Sequence, residues 1–132
     1  MNILIVDDEP VTLAFLRRGV SGPNRTVLEA KSFDECQKIV AEQKIDLVIT
    51  DLNMPDQNGF AVANMVLERY PNTPIFLITG CNDDANLRFA TMMGFSKIFN
   101  KPIHLPRLKE AIDAVERGQR PAPDSVSAQQ PL

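Results

Sequence analysis

An α/β fold, with a parallel sheet covered by helices on both faces, is what this sequence of 132 residues predicts. Three observations carry it. Short apolar runs rich in β-branched residues, at 3–6, 47–49 and 75–78, have the length and two-faced apolarity of strands buried in a parallel sheet. Between them lie longer stretches with apolar residues at helical spacing. Each run stops at a polar residue: Asp7-Asp8 after the first, Asp51 after the second, Thr79 after the third. Ligands of open α/β sheets bind at the carboxyl ends of the strands, so these polar residues are candidates for chemistry.

The elements follow in order. Residues 3–6 form the first strand, and Asp7-Asp8-Glu9 an acidic loop. Pro10 belongs in the first turn of the first helix, where its missing N–H costs nothing. Val11, Phe15 and either Leu16 or Val20 recur at helical spacing, and Ser21-Gly22-Pro23 ends the helix. Residues 26–28 predict a second strand nearer an edge, interrupted by Glu29. Ser32 suits the N-cap of a helix over 33–43, with Glu35 in its first turn and Phe33, Cys36, Ile39 and Val40 as its buried stripe. The third strand is 47–49, and Pro55 and Gly59 mark the loop after it. A helix with Ala63, Val66 and Tyr70 follows and ends before Pro71. The fourth strand runs from Pro74 to Thr79, with Gly80 at its exit. Asn82, Asp83 or Asp84 caps a fourth helix reaching Met93, stopped by Gly94. Residues 97–99 are a short fifth strand. Leu105, Leu108, Ile112 and Val115 give the last helix, which Gly118 stops. From Gln119 onward Pro, Ser, Ala and Gln dominate, the composition of a flexible tail or interdomain linker. The expected division is therefore a domain over 1–118 and a tail over 119–132.

Composition narrows the function. Hydrophobic residues make up 44% and charged residues 23%, enough apolar material for one soluble core. A net charge of −3 argues against a dedicated nucleic-acid surface. Cys36 and Cys81 lack CxxC spacing, and with His104 the single histidine a zinc site has too few soft ligands. Reduced thiols and an acidic N-terminus imply a cytoplasmic chain without a signal peptide. No apolar run approaches the roughly 18 residues of a membrane span.

The strand-end residues converge on one edge of the predicted sheet. Asp7, Asp8 and Asp51 held close together repel, which raises the pKa of one or more of them. A divalent cation removes that conflict, and oxygen-only ligands favour magnesium over zinc. Lys101 supplies a point charge for a phosphoryl oxygen, and Thr79 a hydroxyl. A carboxylate nucleophile, a metal and two donors are the equipment for phosphoryl transfer to an aspartate.

These residues carry a resemblance. Asp7-Asp8, Asp51 with Met54-Pro55 and Gly59, Thr79-Gly80 and Lys101-Pro102 stand in the order and spacing of the receiver domain of two-component response regulators, over about residues 2–118. The resemblance implies a flavodoxin-like (βα)5 three-layer sandwich with a five-stranded parallel sheet of order 2-1-3-4-5. It implies that Asp51 accepts phosphate from a sensor histidine kinase or a histidine phosphotransfer protein. It implies that Asp8 binds Mg2+ directly, Asp7 mostly through water, and Asn53 through its backbone carbonyl. Thr79 then moves toward the phosphoryl oxygen, Gly80 leaves room beside it, Lys101 contacts it, and the Lys101–Pro102 bond is cis. Output passes to an effector domain or protein, with a homodimer compatible.

One position departs from the family. Where relatives often carry Tyr or Phe three residues before the lysine, this chain has Ile98, and Phe99 should face the other side of the sheet. His104 reads as an exposed residue at a helix start and Cys81 as a small filler. A phosphohydrolase with an aspartyl intermediate usually has a second Asp two residues past the nucleophile; here that residue is Asn53. A phosphate-independent binding module would not need the intact Asp7, Asp8, Asp51, Thr79 and Lys101. Neither GxxxxGK[ST] nor GxGxxG is present, which disfavours nucleotide binding. The chain is read as a signalling domain, not an enzyme.

Overall fold

The computed structural model describes residues 1–54, 56–80 and 84–118. Strands and helices alternate: β1 (Asn2–Val6), α1 (Pro10–Val20), β2 (Thr26–Ala30), α2 (Phe33–Glu42), β3 (Leu47–Asp51), α3 (Gly59–Arg69), β4 (Ile75–Thr79), α4 (Asp84–Met92), β5 (Lys97–Asn100) and α5 (Leu105–Glu116). All strand pairs are parallel, and the order is β2-β1-β3-β4-β5. No helix among the described residues is long and apolar enough to cross a membrane.

Strand residues alternate between two cores, as a period of two requires. Ile3, Ile5, Leu47, Ile49, Phe76, Ile78 and Phe99 pack with Leu13, Leu16, Leu108 and Ile112 of α1 and α5. Leu4, Val6, Val48, Ile75 and Leu77 pack with Cys36, Val40, Val62, Val66 and Ala90 of α2, α3 and α4. The three layers therefore follow from strands apolar on both faces. Ile98 packs on the second core and Phe99 lies in the first, on opposite faces as expected.

Three expectations need correction. In α1 the buried residues are Leu13, Leu16, Gly19 and Val20, while Val11 is 81% and Phe15 37% exposed. Helical spacing admits either stripe, and Gly19 decides between them. A Cβ there would lie 2.6 Å from Leu105 Cδ2, so the bare backbone lets α5 approach and turns that face inward. Second, β2 runs on through Glu29 to Ala30; the Glu29 carboxylate pairs with Arg17, which satisfies the charge on an edge strand. Third, α3 ends at Arg69, and Tyr70 is its C-cap.

Helix ends show why the chain breaks where it does. The Ser32 hydroxyl accepts the Glu35 N–H at 3.1 Å, the predicted cap. Asn58 does the same for α3, its Oδ1 accepting the Ala61 N–H at 3.0 Å. Gly94, with φ +100, and Gly118, with φ +80, follow α4 and α5 in the left-handed region that favours glycine. The expected loop proline Pro55, the filler Cys81, the caps Asn82 and Asp83, and the tail 119–132 lie outside the described residues.

Candidate functional site

Each site residue stands where an apolar strand stops. Asp7 follows β1, and its N–H bonds the Ala30 carbonyl of β2 at 3.1 Å. Asp51 is the last residue of β3, and the next N–H, that of Leu52, bonds Ile78 O at 3.0 Å. Lys101 follows β5, with its N–H on Thr79 O at 2.9 Å. The ladder thus extends one residue past these strands and fixes the backbone at Asp7, just after Asp51 and at Lys101.

The side chains converge. One carboxylate oxygen from each of Asp7, Asp8 and Asp51 lies within 4.8 Å of the others. Lys101 Nζ stands 3.1 Å from Asp51 Oδ1. The same oxygen accepts the Leu52 N–H at 3.0 Å. Thr79 ends β4, beside β3, and is buried. A Cβ on Gly80 would meet nothing within 4 Å among the described residues. Asn53 is exposed on the loop after β3 and bridges to Asn58. The Lys101–Pro102 bond is cis. His104 is exposed at the start of α5 and its side chain makes no cap bond.

Electrostatics follow from this packing. Burial is the main cause that lifts the Asp7 carboxyl to about 6; the Glu9 N–H opposes the shift, and the charge of Asp51 adds to it. The expected repulsion is real but second to desolvation. For Lys101 burial acts downward, yet the hydrogen bond and charge of Asp51 outweigh it and raise the pKa. Lys101 is therefore a permanent cation at neutral pH.

A divalent cation fits these residues. Asp7 is wholly buried, its Oδ1 accepts the Glu9 N–H at 2.9 Å, and its Oδ2 has no hydrogen-bond partner among the described residues. A buried carboxylate oxygen left unbonded is costly, and a hard cation among three carboxylates would satisfy it.

The response regulator receiver domain profile matches residues 3–113. The chain belongs to the response regulator receiver domain family. Among curated relatives, the transcriptional regulatory protein GlrR of Escherichia coli is 28% identical over 123 residues, covering 93% of this chain and 28% of that protein. TorR of the same species, the TorCAD operon transcriptional regulatory protein, is 34% identical over 107 residues, covering 81% of this chain and 46% of its own. This chain thus spans less than half the length of either relative. A receiver domain protein of Clostridium thermocellum superposes with a TM-score of 0.79 at 30% identity, over 89% of this chain and 95% of that one. Membership makes the chain a signalling module of two-component systems rather than a catalytic enzyme, and implies a kinase as partner.

Sequence reasoning missed one contact near the site. Asp56, at the tip of the loop after β3, accepts the N–H of Phe33 at the start of α2 with both oxygens, at 3.2 and 3.1 Å. The one available signal was an Asp after a Pro in a turn, which names no partner 23 residues away.

Proposed function

We propose that Asp51 accepts a phosphoryl group from the phosphohistidine of a sensor histidine kinase or a histidine phosphotransfer protein, in a reaction requiring Mg2+. The observation that carries this reading is the placement of the Asp51 carboxylate, 3.1 Å from Lys101 Nζ and clustered with Asp7 and Asp8. Oδ1 already holds the Leu52 N–H and Lys101, which makes Oδ2 the nucleophilic oxygen. It attacks phosphorus, the P–N bond breaks, and its electron pair returns to the imidazole. Asp7, Asp8, Asp51 and the Asn53 carbonyl would hold the magnesium, which supplies positive charge to the phosphoryl oxygens when bound. Lys101 offers its N–H groups to the same oxygens, and Thr79 its hydroxyl after the loop beyond β4 moves.

The receiver unit is 1–118, with 119–132 as tail or linker. Its setting is cytoplasmic, and it hands its signal to an effector domain or protein, with or without homodimer formation. It does not itself bind nucleic acid.

Incubation with acetyl phosphate or a phosphorylated kinase, with and without Mg2+, is the test. Wild type should carry a base-labile label only with the metal, and Asp51→Asn, which keeps the shape but loses the nucleophile, should carry none. A persistent label in that variant would identify another acceptor. Asp8→Ala should weaken Mg2+ binding by more than about tenfold, since even outer partners of a metal site cost that much.

A further inference from the structure

The loop between β3 and α3 carries Asn53, and the structure shows how that loop is tied down. Its base is pinched twice: the Gly59 N–H bonds Leu52 O at 2.7 Å, and Asn53 bridges to Asn58. Its tip is tied elsewhere, by Asp56 on the Phe33 N–H. That N–H is the first of the unpaired donors every helix start leaves. Ser32 Oγ takes the Glu35 N–H at 3.1 Å, and Glu35 Oε1 takes the Lys31 N–H at 2.9 Å. The local residues therefore serve their own turn and leave Phe33 to a partner from another loop. The position is not chosen for charge alone, because Asp34 and Glu35 already make this turn acidic. The segment before α2 is itself linked to the site, since Ala30 O holds the Asp7 N–H at 3.1 Å.

We propose that Asp56 is a positioning residue for the cation and phosphoryl site, its hydrogen bond to Phe33 N–H holding the loop that bears Asn53 against the start of α2. It touches neither metal nor phosphate. Its effect is to limit the loop's freedom, so that binding the cation need not order it. The inference rests on the proposed reaction, and the test separates the two.

Four proteins are compared: wild type, Asp56→Ala, Asp56→Asn and Asp34→Asn. Asn keeps an acceptor oxygen without the charge, Ala removes both, and Asp34→Asn removes a nearby charge that is not on this bond. Mg2+ affinity is read by amide-shift titration, Phe33 amide exchange by hydrogen exchange, and label lifetime after acetyl phosphate. Asp56→Ala should speed Phe33 exchange and weaken Mg2+ by about fivefold, the net scale of one ordinary hydrogen bond. Asp56→Asn should recover most of both, and Asp34→Asn should match wild type. Loss of Phe33 protection in Asp56→Ala with unchanged Mg2+ affinity and label lifetime overturns the proposal. So does an Asn variant as weak as Ala, which would make charge rather than the bond responsible. Absence of label on wild type would instead overturn the acceptor reading, while the Mg2+ and exchange comparisons would still judge Asp56.

Discussion

At the scale of single residues the site is governed by burial. Asp7 has a carboxyl raised to about 6, first because it is buried. A raised acid favours its neutral form in the folded state. The stability it contributes is full below the unfolded value near 4 and is lost as pH rises through about 6. Metal-free wild type should therefore lose stability between pH 4 and 7 from this group, by roughly 3 kcal/mol at 1.36 kcal/mol for each pKa unit. Asp7→Asn should be more stable than wild type at pH 7 without metal, and the gap should close toward pH 4; urea unfolding across that range with a chelator present measures it. Mg2+ binding to wild type should weaken below pH 6, where Asp7 must first lose its proton. Equal pH slopes in the two proteins would remove Asp7 as the source. Asp7, Asp8, Asp51, Thr79 and Lys101 were all legible in the sequence because each ends or directly follows a strand, and strand ends are read from apolar runs. Asp56 was not legible, because a bond between two loops leaves no periodicity behind.

At the scale of elements, the start of α3 packs directly on the backbone of β3. A Cβ at Gly59 would lie 2.6 Å from Asp51 O and 3.2 Å from Leu52 Cα, and these are backbone atoms that yield only if β3 moves. Gly59→Ala should cost roughly 2 kcal/mol or more, the scale of overpacking against atoms that do not move aside, and should slow labelling of Asp51. Thermal unfolding with a timed acetyl phosphate reaction reads both; normal labelling in a destabilised variant would confine the effect to packing. The next residue, Phe60, meets Phe89 of α4 edge-on at 4.7 Å and Phe95 at 6.0 Å, while Ile98 packs on the same core. Ile98 is stiff about χ1 and has no polar tip. Bound beryllofluoride, a phosphoryl mimic, should therefore shift amides at 79–90 strongly and leave the Ile98 side chain in place. A rotamer change at Ile98 as large as the loop shift would contradict this. Element types were legible throughout, but the rotation of α1 was not. Val11 and Phe15 share the spacing of Leu16 and Val20, and the burial of Leu13 beside them and the close approach of Leu105 to Gly19 separate the two faces.

At the scale of the whole molecule, the parallel sheet divides labour between its two edges. Asp7, Asp8, Asp51 and Lys101 gather at the carboxyl ends of the strands. The amino-terminal edge carries a different cluster. Arg25, just before β2, is nearly buried, with its side chain 8% exposed. It bonds Asp113 at 2.6 Å and Glu116 at 2.7 Å, both on α5, and Val20 O at the end of α1 at 3.3 Å. One side chain thus joins the ends of α1 and α5, two helices on the same face of the sheet. The helices run opposite to the strands, so their carboxyl ends lie away from Asp51. Asp113 and Glu116 are substantially exposed and would regain water if Arg25 were removed, so the ion pairs themselves carry little. What Arg25→Ala loses is the packed stem and the bond to Val20 O. The expected fall in Tm is about 4 °C, what a loss of about 1 kcal/mol produces in a domain of this size. Arg25→Lys should fall between, since it keeps most of the stem but has one nitrogen where Arg25 uses Nη2 for both carboxylates and Nη1 for Val20 O. Because Arg25 sits at the far ends of α1 and α5, a strand length away from the site, Mg2+ affinity and the labelling of Asp51 should remain within twofold of wild type, about 0.4 kcal/mol. A calorimetric scan and a Mg2+ titration on the same samples decide the matter. Weakened Mg2+ binding in Arg25→Ala, at a temperature where it is fully folded, would show that the far edge is coupled to the site through α1 or α5.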